Sequence, residues 1–213
     1  MESELLGKLA DKSLTTKELF QMVEQDFGLL PQIVNGVSSS KASIRYGCAK
    51  ILTDLSKAYP NELYRYMDSF ISLLDSNYRI LTWNAMAIIA NIAGVDKDKK
   101  FDDVFDKYYS FLNDEYMVTV ANVVGNSGKI ALAKPYLINK IANELLKVDD
   151  ISTTPHLTEE CIRVIAEKSI SSFDMFFDQI KQKRKVIHFV EKYASSPRKT
   201  LREAAKNFLK KWG

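Results

Sequence analysis

The residue types that most often carry chemistry are few and far apart in this chain. The two histidines, His156 and His188, have no Cys, Asp or Glu at a spacing typical of zinc sites. The two cysteines, Cys48 and Cys161, also lack such partners, and no basic residue is evident that could activate Cys161. We expect His156 to lie in a loop, His188 to be packed or at a rim, and no catalytic residue, metal or cofactor.

The segment GNSGK, residues 125–129, has a superficial likeness to a phosphate-binding loop. It lacks the Gly-Lys-Ser/Thr ending and follows a helical pattern instead of a strand. We therefore expect Gly125 or Gly128 to lie near the C-cap of the preceding helix.

Length and composition favour a helical protein. The chain has 213 residues, enough for one large domain or two small ones with a continuous core. Its 8 Gly and 5 Pro are too few for an all-β fold, which needs a turn signal every ten or so residues. The N-terminal MESELLGKLADK has no long apolar core, so we expect no secretory signal; with only two cysteines, this predicts a cytoplasmic location.

The stretch from Ile80 to Gly94 contains no charged residue. It falls short of the roughly 20 residues that a membrane span needs, and Asn84 and Asn91 interrupt it. We therefore expect no membrane association, and we interpret the stretch as a helix surrounded by other helices.

Five segments repeat one amphipathic pattern, with apolar residues three and four positions apart. These segments are 43–56, 80–93, 116–128, 157–169 and 200–212. Equivalent positions form one column of Ile44, Ile80, Tyr116, Leu157 and Leu201, and a second column of Leu52, Ile88, Val124, Ile165 and Leu209.

Another helical pattern precedes each segment, at 29–37, 62–74, 101–112, 135–148 and 173–194. The unit is therefore a helical hairpin of roughly 36 to 44 residues, a period typical of stacked two-helix repeats. Residues 1–26 are expected to form a cap, in which Thr15 or Thr16 is the N-cap of a helix with Glu18 nearby.

The first repeat, LLPQIVNGVSSSKASIRYGCAKILTDL, resembles HEAT and armadillo-type repeats. The matching positions are Pro31, Ile33, Val34, Ile44, Arg45, Ala49, Leu52 and Leu55, and the last repeat has Leu201, Arg202, Ala205 and Leu209. The middle repeats differ, because Leu81, Met117 and Thr158 stand where the family usually places arginine.

The resemblance implies an all-α fold, a right-handed α-α superhelix (solenoid) of about five HEAT/ARM-like hairpins. We predict a single α-solenoid domain over 1–213, with N-terminal capping helices at 1–26. The predicted repeats are 27–60, 61–99, 100–134, 135–172 and 173–213. The inner helices at 80–94 and 117–128 should be buried, because neighbouring repeats leave them no broad face for charge.

Trp83 raises the question of an enzyme, because HEAT-like folds include DNA glycosylases that use aromatic residues with a carboxylate in a basic groove. No acidic residue lies between Ile80 and Gly94, so the catalytic group is missing there. We expect Trp83 to pack in the core or line a groove, and we rank a DNA-glycosylase-like enzyme third among the functions.

The C-terminal part of the chain is basic. Residues 174–213 contain 11 Lys or Arg against 4 Asp or Glu, a balance of +7 that leaves −4 for residues 1–173. A solvated cap accounts for most such runs, but the charge could also bind nucleic acid. The candidate contacts are Lys181, Lys183, Arg184, Lys185, Arg198, Lys199 and Arg202.

The leading hypothesis is a non-enzymatic scaffold or adaptor that binds a protein partner through a concave surface lined by the second helix of each hairpin. Uncharged polar residues in otherwise apolar helices need hydrogen-bond partners or solvent, which makes four asparagines candidates for partner binding. They are Asn84, Asn91, Asn122 and Asn126. Buried hydrogen bonds between repeats explain these asparagines equally well.

Replacing Ile88 with Ala tests the burial of the second hairpin. The lost contacts and the cavity should lower the free energy of unfolding by roughly 2–5 kcal/mol. Urea denaturation followed by far-UV circular dichroism measures this difference, and a loss under about 1 kcal/mol would contradict the predicted burial.

Overall fold

The computed structural model describes residues 4–213, which fall into two compact units, one ending at Asp102 and the other beginning at Asp103. Over these residues the chain forms thirteen α-helices joined by short 3-10 turns, and the only β pairing is an isolated bridge between Thr154 and Leu157.

The first unit contains a cap and two hairpins. Its helices are α1 (Glu4–Ala10), α2 (Thr16–Gln25), α3 (Leu30–Gly36), α4 (Ala42–Ala58), α5 (Pro60–Tyr64), α6 (Met67–Ser72) and α7 (Arg79–Ile92). The capping helix α2 packs on α4, and α4 packs on α7. Because α4 and α7 are the second helices of consecutive hairpins, this packing confirms the repeat pattern within the unit.

The second unit repeats the same arrangement. It contains most of α8 (Lys100–Ser110), followed by α9 (Met117–Ala133), α10 (Ile138–Leu146), α11 (Glu159–Phe176), α12 (Lys183–Glu191) and α13 (Lys199–Trp212). Here α9 packs on α11 and α11 packs on α13, so the second helices again form a continuous layer.

Threonine is the N-cap residue of two helices, α2 and α11. Thr15 is the N-cap of α2, where its Oγ1 accepts a hydrogen bond from Glu18 N at 3.2 Å and Glu18 Oε2 accepts one from Thr15 N at 2.8 Å. This reciprocal pair is a capping box, and it confirms the predicted cap. Thr158 caps α11 in a similar way by accepting from Cys161 N at 3.3 Å.

The uncharged inner helices are buried as predicted. Ile88 of α7 is 1% exposed, and Val124 of α9 is fully buried. The first column of equivalent residues is less regular, because Ile80 is 42% exposed whereas its neighbour Leu81 is buried. The start of α7 is therefore rotated by one residue from the register that the sequence alignment predicts.

Two arginines confirm the equivalence of the first and last repeats. Arg45 Nη1 donates to the carbonyl oxygens of Ser39 and Ser40, at 2.8 and 3.2 Å. Arg202 Nη1 donates to the carbonyl oxygens six and five residues before it, at 2.6 and 3.4 Å. Each arginine thus ties the start of its second helix to the turn before it.

The predicted helix end at GNSGK is wrong. Helix α9 continues to Ala133, so Gly125 and Gly128 lie inside it, and no described glycine has a positive φ. The reason is tertiary: an added Cβ at Gly128 would lie 3.3 Å from the backbone of Ser172 in α11. Ser172 Oγ donates to the carbonyl oxygen of Val124, so glycine permits a close approach of two helices.

The single helix predicted over 173–194 is also wrong. Phe173 and Phe176 are buried and extend the apolar face of α11, and α12 starts only at Lys183. Residues 181–185, KQKRK, offer no apolar side chain to pack, and the chain turns at residues 181–182, between the buried Ile180 and the start of α12.

The two glycines of α9 provide a matched pair of substitutions. An added Cβ at Gly125 would make only an ordinary contact, 3.6 Å from Lys168 Cδ. Gly125→Ala should therefore raise the free energy of unfolding by roughly 0.5–1 kcal/mol through helix propensity. Gly128→Ala should lower it by roughly 1–3 kcal/mol, because its Cβ would clash with Met175 Sδ and lie 3.3 Å from the Ser172 backbone, so that α11 must shift. Urea unfolding of both variants checks this, and equal effects at the two sites would contradict the close approach.

Candidate functional site

In the first unit the asparagines predicted to bind a partner lie on α7, the second helix of its hairpin. Asn84 Nδ2 donates to Ile80 O at 2.6 Å, and Asn84 Oδ1 accepts from Thr53 Oγ1 of α4 at 2.7 Å. Asn91 Nδ2 donates to Ser56 Oγ of α4 at 2.9 Å. Both asparagines are half-buried, and both join neighbouring repeats.

In the second unit the corresponding residues lie on α9. Asn122 Nδ2 donates to Val118 O at 2.8 Å, and Asn126 Nδ2 donates to Asn122 O at 2.9 Å. Both bonds stay within α9, whereas Asn84 and Asn91 each form a hydrogen bond to a residue of α4. The four asparagines therefore divide into a pair that bridges repeats and a pair that lines the side of one helix.

A groove of about 320 Å³ lies between α9 and α11. We call it the α9–α11 groove; it is lined by Met117, Val118, Ala121, Asn122, Gly125, Asn126, Val164 and Lys168. Its size is at the lower end of the range found for ligand pockets.

Trp83 is half-buried on α7, which agrees with packing or with a groove-lining position. The sequence between Ile80 and Gly94 places no carboxylate on this helix beside it.

The other candidate reactive residues stay apart. Burial raises the pKa of the Cys48 thiol to about 12, and Cys161 is half-buried beside Thr158, whose hydroxyl donates to its Sγ at 3.3 Å. His156 lies in the turn before α11, stacked on Tyr116 with ring centroids 5.4 Å apart. His188 is exposed on α12. Within residues 4–213, no three His, Cys, Asp or Glu side chains are grouped to hold a metal ion.

The structure separates the basic residues of the last hairpin into two groups. The first group is at the start of α12 and comprises Lys181, Lys183, Arg184 and Lys185, all exposed or nearly so. Lys183 Nζ lies 5.6 Å from the ring centroid of Phe177, which itself contacts Trp212 at the end of α13. Within the described chain these four residues form no ion pair, so their charge faces solvent.

The second group is at the start of α13 and is largely neutralised. Arg198 Nε donates to Glu167 Oε2 at 2.9 Å, and Arg198 Nη1 pairs with Glu160. Lys199 Nζ is 3.8 Å from Glu203 Oε1, and Arg202 donates to turn carbonyls. The free positive charge of the candidate contacts is therefore concentrated at the start of α12, whereas Arg198 and Lys199 at the start of α13 lie beside carboxylates.

A larger groove of about 650 Å³ lies in the second unit, on the side of the first helices. It is lined by residues that include Asp106, Asp114, Glu115, Glu144 and Asp150, with Lys147 as its one cation. The periodic sequence patterns did not predict this groove, because its residues come from α8, α10 and the turns that follow each of these helices. The acidic pairs at the ends of these helices were the only signal.

Comparisons with known proteins identify the fold. A designed armadillo repeat protein in complex with the peptide (KR)4 is 17% identical, with a TM-score of 0.65 over 98% of this chain and 91% of that one. Another designed armadillo repeat protein is 19% identical, with a TM-score of 0.62 over 98% of this chain and 90% of that one. A structure of computationally designed armadillo repeat proteins for modular peptide recognition is 18% identical, with a TM-score of 0.62 over 98% of this chain and 90% of that one.

These similarities confirm the all-α, armadillo-like repeat fold. No protein-family model matches the sequence, and no curated protein matches it. Among the helices described here, none combines the length and the apolar character needed to cross a membrane.

The ion pairs of Arg198 predict a loss of stability in acid. The hydrogen bond from Arg198 lowers the pKa of Glu160 below its usual value of 4.5. For Glu167, burial acts to raise the pKa, but hydrogen bonds from Thr200 and Arg198 outweigh it and the net shift is downward. A carboxylate whose pKa is lowered by folding contributes its full stabilisation above about pH 4.5, the pKa of the unfolded state. This contribution is lost as the pH falls through the folded-state pKa.

We therefore expect the variant Glu160→Gln with Glu167→Gln to lose less stability than the unaltered protein between pH 6 and pH 3. Urea unfolding at several pH values measures this, with Glu203→Gln as a control for a lost surface carboxylate. An unchanged pH slope in the double variant would contradict the role of Arg198.

Proposed function

We propose that this protein is a non-enzymatic helical-repeat scaffold or adaptor that binds a protein partner through the surface of its second helices. We also propose that residues 1–213 form one domain, in which a cap is followed by five repeats. The proposed location of the protein is the cytoplasm. The observation that carries the proposed binding is that this surface keeps amide side chains on helices that are otherwise apolar, beside an open groove.

The fold and the chemistry of the surface support binding of an extended segment. A designed protein with the same fold is described in complex with a peptide. Asparagine side chains both donate and accept hydrogen bonds, so they suit the alternating N–H and C=O groups of a peptide backbone. Asn122 is better placed than Asn84 for this role, because Asn84 Oδ1 already accepts from Thr53.

The single substitution Asn122→Ala tests this proposal. Peptides selected by display against the whole chain provide the probe, and fluorescence anisotropy measures their affinity. We expect Asn122→Ala to weaken binding by about tenfold, the value of one or two hydrogen bonds. Asn35→Ala, on the exposed side of α3, is the matched control and should bind normally.

An unchanged affinity of Asn122→Ala would contradict the proposed surface. Release of a base from alkylated DNA by the purified chain would instead support the glycosylase-like alternative and contradict a non-enzymatic role.

A second candidate function is nucleic-acid binding by the last hairpin. The favouring observation is the group of exposed, unpaired cations from Lys181 to Lys185. We expect Arg198 and Lys199 to contribute less to this binding, because each already pairs with a carboxylate.

Retention of DNA and RNA at low and moderate ionic strength tests this second function. Phosphate binding predicts a steep loss of affinity with salt, and Arg184→Glu with Lys185→Glu should abolish retention. Arg198→Gln is the control, because its charge is already paired, and it should change retention little. Retention that persists in the Arg184 and Lys185 double variant would exclude this hairpin as the binding site.

A further inference from the structure

The α9–α11 groove has two chemically different walls. On the α9 side, Val118 is 38% exposed and lies one turn before Asn122. On the α11 side, Val164 is half-buried and lies one turn before Lys168. Each wall thus places an aliphatic side chain beside a polar one, and a ligand that fits must offer both apolar and polar groups.

The amides of the groove are arranged as acceptors. Asn122 and Asn126 both use Nδ2 to bond carbonyl oxygens of their own helix, which leaves both Oδ1 atoms without a donor from the described residues. Asn126 is only 8% exposed. Among the described residues, however, Arg45 Nε is the one side-chain polar atom that is both fully buried and without a hydrogen-bond partner, so Asn126 Oδ1 is not such an atom. The Oδ1 of Asn126 therefore remains accessible, and the groove can accept N–H groups from a ligand.

The only ionisable side chain that lines the groove is Lys168. Its stem lies across Gly125, where an added Cβ would be 3.6 Å from Lys168 Cδ. Lys168 forms no ion pair with the described residues, and its neighbour Glu167 is engaged with Arg198 and Thr200 instead. The groove consequently carries one positive charge, and none of its lining residues is a carboxylate.

We propose that the α9–α11 groove binds a peptide segment in which an Asp or Glu lies beside an aliphatic residue. The carboxylate pairs with Lys168, backbone N–H groups donate to Asn122 and Asn126, and the aliphatic side chain packs between Val118 and Val164. This inference rests on the proposed function, because it names the chemical class of the partner at the same surface. The charge excludes a basic segment, since no carboxylate of the groove could pair with it.

A nucleic acid fits the groove less well than a peptide. A phosphate could pair with Lys168, but the groove has no aromatic side chain on which a base could stack and no second cation to follow a phosphate backbone. The aliphatic residues would then contact a charged backbone, which gives them no favourable role.

Three pools of labelled peptides and one oligonucleotide test the proposal on the whole chain. The pools share length and Leu/Val content, and differ in whether the remaining positions are Asp/Glu, Lys/Arg or Ser/Gln; a single-stranded DNA of similar length is the fourth probe. Fluorescence anisotropy gives the dissociation constants at two salt concentrations.

We expect the acidic pool to bind at least tenfold more tightly than the neutral pool, and the basic pool to bind most weakly. Lys168→Glu should reverse the order of the acidic and basic pools, and added salt should reduce the difference between them. Lys97→Glu, at an exposed position in a loop of the first unit, makes the same change in net charge and should keep the original order.

The possible failures are distinguishable. If no peptide pool binds, the proposed function is contradicted together with this inference. If the neutral or basic pool binds as tightly as the acidic one, or if Lys168→Glu leaves the acidic pool unaffected, the proposed function stands and the inference is overturned. If the DNA binds, and if Lys168→Glu weakens DNA binding more than peptide binding, the inference is overturned in favour of a nucleic acid.

Discussion

The burial of uncharged second helices is the constraint on which the rest of this protein depends. A helix that packs against neighbours on several sides cannot carry a broad ionised face, because burying unpaired charges costs more free energy than a folded protein can usually lose. Helices α7 and α9 meet this constraint with aliphatic residues, alanine and a few amides. The second helices α4 and α11 carry more charged residues than α7 and α9, including Lys50 and Asp54 in α4 and Glu160 and Glu167 in α11.

The same constraint shapes the candidate binding surface. In its first half α9 exposes Val118 and Gly125 and half-exposes Asn122, and its own lysine, the exposed Lys129, lies farther along the helix and does not line the groove. The cation of the α9–α11 groove therefore comes from the next helix, through Lys168. The α9–α11 groove thus combines hydrogen-bond acceptors, aliphatic side chains and one positive charge, the combination on which the proposed peptide binding rests.

Periodicity predicted the elements well because helix formation depends on local spacing. The segments at 43–56 and 80–93 correspond to α4 and α7 within two residues at each end, and Thr15 with Glu18 forms the expected capping box. Features that depend on distant residues were not predictable. Gly128 lies inside a helix because of Ser172, and Arg198 is neutralised by Glu160 and Glu167, which lie 38 and 31 residues away.

Native-state hydrogen exchange tests the central claim most directly, because it reports the opening free energy of each helix. We expect the amides of α7 and α9 to exchange only through global unfolding, which has the largest free energy, whereas those of α1 and α13 should exchange through smaller openings. Exchange of α7 or α9 as fast as that of α1 would contradict the burial of these helices, and with it the explanation of why their surface is uncharged.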